Sequence, residues 1–152
     1  MEHAGGKTAS ATIELMRFCL WLLALGAVSA WAADSHPGET LRGKLVLNDG
    51  KPPAVETAEH KLVILDGDEP TRQVLGDRRL NGFDVQAKGR FTAPDRFLID
   101  PIHTRALLVR QGGKLRMITY WCDLCSIRSF TPGPCACCQR ETTLDLRDPD
   151  EP

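Results

Sequence analysis

Arg105-Ala106-Leu107-Leu108-Val109-Arg110, then Gln111-Gly112-Gly113, then Lys114-Leu115-Arg116-Met117-Ile118-Thr119-Tyr120-Trp121 is the stretch that decides the fold class. Two β-prone runs flank a Gly-Gly pair. Glycine reaches the positive φ of a tight hairpin turn at no steric cost, so this pattern predicts two antiparallel strands joined by a short turn.

Toward the N-terminus the same alternation recurs. Val85-Gln86-Ala87-Lys88-Gly89-Arg90-Phe91 switches between apolar and polar, and Arg96-Phe97-Leu98-Ile99-Asp100 does so more loosely. Leu41 to Leu47 and Lys61 to Leu65 complete the strand candidates, with the turn-rich Asn48-Asp49-Gly50-Lys51-Pro52-Pro53 between them. Glu69 to Leu75 reads as a short helix, with Pro70 in its first turn and Gly76 as its cap. Short strands at close spacing around one helix predict a mainly β domain. The expected form is a small antiparallel barrel of the OB type with five or six strands and a Cys-rich C-terminal segment.

The chain has 152 residues, a length for one domain. Phe18 to Val28 is an apolar run preceded by Arg17 and followed by Ala30-Trp31-Ala32, a site of the A-x-A kind. This is the layout of a cleavable secretory signal, and the run is short of the ~20 residues a spanning helix needs. An uncleaved N-terminal anchor is the alternative. Met16, directly before Arg17, offers a second start. The expected organisation is therefore leader and signal at 1–32, a flexible lead-in at 33–40, the barrel at 41–121, a Cys-rich segment at 122–146 and a tail at 147–152. The mature protein is expected in the periplasm or outside the cell, without a membrane span. Cleavage removes Lys7 and Arg17 along with Glu2 and Glu14, so the net charge stays at -1. That balance gives no support to nucleic-acid binding.

Five of the six cysteines fall between Trp121 and Gln139. Cys122 and Cys125 form one C-x-x-C, and Cys135 and Cys138 form another. Each such turn aims two sulfurs at one point, and two turns together supply the four-sulfur tetrahedron of a structural Zn²⁺ site. Nine residues separate the pairs, fewer than the common ~15–20, and Pro132-Gly133-Pro134 offers the tight return that a short loop requires. Cys137 is either a spare thiol or a substitute for Cys138. His103, between two strand candidates, is a further candidate ligand. Zinc is the expected ion; Cu(I) and an iron–sulfur cluster also fit the ligand count.

Two other readings of the same residues stay open. Outside the cytoplasm, paired cysteines tend to oxidise, which allows a disulfide-stapled binding domain. Trp121-Cys122-x-x-Cys125 also allows a thiol redox protein. A thioredoxin fold is not expected, because Thr131-Pro132-Gly133-Pro134 ends any helix that Cys122 would start and only fourteen residues follow Cys138. Asp66, Asp68 and Glu69 lack the length and spacing of a Ca²⁺ loop and read as a turn and helix start. Tyr120 and Trp121 are expected to pack against the site, with a binding platform as the alternative. No Ser/His/Asp set, phosphate loop or carboxylate pair stands out, so the reading is non-enzymatic, with an unspecified protein or small molecule as partner.

The block Ile118 to Arg128 (ITYWCDLCSIR), continued by Thr131 to Gln139 (TPGPCACCQ), resembles a block of uncharacterised exported bacterial proteins. Asp100-Pro101-Ile102-His103-Thr104 belongs to the same pattern. The resemblance implies a bacterial, periplasmic setting and lends no catalytic residue.

Overall fold

The computed structural model describes residues 38–150. The signal, its cleavage after Ala32, Cys19, Met16 and most of the lead-in lie outside the described residues, as does the end of the tail.

Nine strands occur among the described residues: β1 (Glu39–Val46), β2 (Ala54–Glu56), β3 (Leu62–Asp66), β4 (Asp84–Ala93), β5 (Arg96–Ile99), β6 (Leu107–Gln111), β7 (Lys114–Cys122), β8 (Ile127–Ser129) and β9 (Thr143–Arg147). Helix α1 (Glu69–Leu75) stands between β3 and β4, and a single turn, α2 (His103–Ala106), precedes β6. β1 pairs with β2, β2 with β3, β3 with β5, β5 with β4, and β4 with β1. The ring is closed: a five-stranded barrel with its helix after the third strand, the OB-type architecture that the alternating runs predict. One pairing, β3 with β5, is parallel; α1 and the long β4 lie between these strands in the chain and return it in the same direction.

Local chemistry accounts for α1. Asp68 caps its N-terminus, its carboxylate accepting from the Thr71 N–H at 3.0 Å and from the Thr71 hydroxyl. Pro70 sits in the first turn, where no amide donor is needed. Gly76 does cap the other end, but at φ -81°, without the left-handed conformation that glycine caps commonly use.

The barrel interior follows the strand period. Leu41 and Leu45 of β1, Val63 and Leu65 of β3, and Phe97 and Ile99 of β5 alternate inward, with Val74, Leu75 and Leu80 closing one region. Fully burying each such side chain is worth about 1.5–3 kcal/mol. The close β4–β5 pairing sets a further condition at Gly89: a Cβ there would run into the backbone carbonyl of Leu98.

The Gly-Gly hairpin is present as β6–β7, with Gly112 at φ 57° and Gly113 at φ 79°. It starts later than expected, because Arg105 and Ala106 belong to α2. It also lies beside the ring: β6 pairs with the first half of β4, on from where β5 pairs with the second half. The core continues into it through Leu107, Val109, Ile118 and Tyr120. Three strands, β2, β8 and β9, add to those that the alternating runs predict. Arg147, assigned to the tail, closes β9, and Leu144 and Leu146 of that strand pack on the core.

Candidate metal centre

The long strand β7 ends at Cys122, and the chain reverses at once into β8, with Cys122 opposite Ile127. The first C-x-x-C is thus the tip of a hairpin. The Ser126 N–H donates to the Cys122 carbonyl at 2.8 Å, and Ser126 takes a φ of 52°. The second C-x-x-C repeats the arrangement. The Gln139 N–H donates to the Cys135 carbonyl at 2.9 Å, Gln139 has a φ of 60°, and Pro134 pairs with Glu141 as the base of a second hairpin. In both turns the residue after the second cysteine is left-handed, which lets four residues turn back and bring both sulfurs to one side.

The two turns face each other. The Sγ atoms of Cys122, Cys125, Cys135 and Cys138 all lie within 4.8 Å of one another, and Cys122 and Cys138 approach to 3.5 Å. A tetrahedron with Zn–S bonds of ~2.3 Å has edges of about 3.8 Å, so these sulfurs stand at the separations one ion requires. Cys122 and Cys135 are buried, and Cys125 and Cys138 are half-buried. None of the five described cysteines is disulfide-bonded. The disulfide-stapled arrangement is therefore not the one adopted among the described residues.

Backbone dipoles treat the two turns alike. The Cys122 sulfur accepts from the N–H groups of Cys125 and Leu124, and the Cys135 sulfur from those of Cys138 and Cys137. For Cys135 the amides prevail and hold the thiol down at about 7. For Cys122 the Cys125 amide pulls down, but burial and the thiols of Cys138 and Cys135 push the value up on balance. Cys125 is pushed up by the thiols of Cys137 and Cys138. Four sulfurs this close cannot all ionise unless a cation sits among them, as a metal would.

Cys137 and His103, the two further candidates, lie outside the four-sulfur group. Cys137 is exposed; Cys138 takes the place in the cluster. His103 is buried, and its Nε2–H donates to the carbonyl of Phe130, in the loop between the two turns, at 2.7 Å. It thus fastens the cysteine loop to α2. A second fastening involves residues that the sequence did not single out: Arg79 donates to the Thr142 carbonyl at 2.7 Å, with its guanidinium 5.1 Å from the Tyr120 ring centroid, and the Thr142 hydroxyl donates to Gly133 O at 2.8 Å. Only the strand register reveals these links. Tyr120 is buried in the core, where loss of hydration pushes its phenol strongly up. Trp121 faces the other way, beneath Arg128. His60 is exposed and pairs with Glu56 at 2.9 Å; His36 lies outside the described residues. Asp66, Asp68 and Glu69 serve the turn and helix start, as expected.

No protein-family model, curated protein or solved structure matches the chain.

Proposed function

We propose that this chain is a non-enzymatic, exported metal-binding module of the bacterial cell envelope, in which Cys122, Cys125, Cys135 and Cys138 hold one Zn²⁺. The observation that carries the reading is the convergence of four free sulfurs from two equivalent hairpin tips within 4.8 Å. A closed four-thiolate shell is the form of structural zinc sites, in which no position is left for substrate. Its role is to hold the C-terminal segment on the barrel, because binding energy at such a site is also folding energy.

Export is supported by the Arg17, Phe18–Val28 and Ala30-Trp31-Ala32 layout and by the resemblance to exported bacterial proteins. An oxidising compartment threatens four adjacent thiols, and a bound ion removes the threat by occupying the sulfurs. The partner is a protein or small molecule; Leu124, Ile127 and Phe130, exposed around the first cysteine turn, favour a protein.

The test is metal analysis with a free-thiol count on full-length protein secreted to the periplasm and purified without chelator. The reading expects one zinc per chain and a mature start at Ala33. Protein without metal that exchanges Cys122 and Cys125 reversibly against a glutathione series would replace it with the redox reading.

A further inference from the structure

The face of β7, β8 and β9 turned away from the core carries a second feature. The register sets Trp121 beside Arg128 of β8 on one side and Thr143 of β9 on the other. Asp145 and Arg147 follow Thr143 on the same side of β9, since successive odd positions share a face. With Leu144 these residues line a cleft of about 350 Å³. The Arg128 guanidinium lies over the Trp121 ring, 5.3 Å from its centroid, and reaches Asp145 at 3.6 Å, too far for a hydrogen bond.

Both arginines hold a donor that nothing satisfies. Nε of Arg128 and Nε of Arg147 are closed off from water, and neither has an acceptor among the described residues. An unpaired donor is costly, and folded proteins seldom leave one without a reason. Here two occur in one cleft. Both side chains are themselves partly exposed, so a ligand in the cleft reaches their outer guanidinium nitrogens rather than the shielded Nε atoms. Asp145 supplies one negative charge against two guanidinium groups, so the cleft keeps an excess of one positive charge.

We propose that this cleft is a binding site for a small oxyanion group, the carboxylate or phosphate of a ligand, held between Arg128 and Arg147. The guanidinium fork matches two-oxygen anions in plane, and Arg128 is already oriented by its stacking on Trp121. The site does not depend on the metal reading. It uses none of the cysteines, and its ligand meets Trp121 on the face opposite the core.

The arginine Nε–H resonances, which belong to the same guanidinium groups, report on it. The full chain is titrated with inorganic phosphate, with acetate, and with sodium chloride at matched ionic strength. Saturable movement of both the Arg128 and Arg147 Nε–H signals with phosphate or acetate, and none with chloride, is expected. The tighter of the two oxyanions tells whether the natural group is a phosphate or a carboxylate. Arg147→Gln weakens binding by about tenfold, the worth of a charged hydrogen bond. If that variant does not fold, Arg147→Lys, which keeps the charge and loses the fork, is expected to weaken binding too. Signals that stay still with both oxyanions, shifts that chloride reproduces, or undiminished binding by the Arg147 variants would overturn the proposal.

Discussion

His103 and Phe130 tie the cysteine loop to the rest of the domain: the imidazole Nε2–H donates to the Phe130 carbonyl at 2.7 Å, across 27 positions of sequence, and the histidine is buried. The bond holds the middle of the segment that joins the two cysteine turns. His103 thus shapes the site without belonging to it.

Replacing it separates those two roles. His103→Leu leaves the Phe130 carbonyl without its donor and costs about 1–3 kcal/mol of stability in urea unfolding. Zinc content stays at the wild-type level. Loss of the metal with stability preserved would make His103 a ligand and contradict its placement.

Cys137 is distinguished from its neighbours by reactivity. In metal-loaded mature protein, an alkylating reagent modifies Cys137 alone, because it is exposed and outside the cluster. After a strong chelator, all five described cysteines react. Cys137→Ser keeps its metal, whereas Cys122→Ser and Cys135→Ser lose it and loosen the C-terminal segment. Mass mapping of the labelled peptides reads the result.

Stability at low pH depends in part on the cap of α1. The Thr71 hydroxyl and the Thr71 N–H hold the Asp68 carboxyl below its ordinary value. A depressed folded-state value means that the cap stabilises fully above the unfolded value of about 4 and is lost as pH falls through the lower folded one. Asp68→Ala is therefore less stable than wild type by about 1 kcal/mol at neutral pH. The gap closes as the pH falls through that lower folded-state value. A gap that widens on acidification would contradict the assignment.

Two glycines separate crowding from backbone conformation. Gly89→Ala forces a methyl into the Leu98 carbonyl inside the barrel wall and costs about 2–3 kcal/mol. Gly113→Ala meets open space and has only its φ of 79° against it, a cost of about 1 kcal/mol. Equal losses in urea unfolding would mean that the barrel wall yields at Gly89.

The features legible in the sequence are the ones set by neighbours along the chain. The Gly112-Gly113 hairpin, the Asp68-to-Gly76 helix and the two C-x-x-C turns each carry their own chemistry within a few residues. β2, at Ala54–Glu56, is too short to display a period. β9 does alternate, as Thr143-Leu144-Asp145-Leu146-Arg147, but it follows the cysteines so closely that it reads as part of their segment. Ring closure through the parallel β3–β5 pair depends on distant pairing and has no local signature. Nor do the left-handed Ser126 and Gln139, residue types with no special liking for that conformation; the hairpin closure around each turn imposes it. The partners of His103 and Arg79 emerge only once β7 and β9 are in register.

X-ray absorption at the zinc edge of the full-length protein, purified without added metal or chelator, tests the central claim most directly. The account predicts four sulfur neighbours at ~2.3 Å and no nitrogen or oxygen in the first coordination shell. Fewer than four sulfurs, an imidazole contribution, or protein free of zinc with Cys122, Cys125, Cys135 and Cys138 stably paired as disulfides would contradict it.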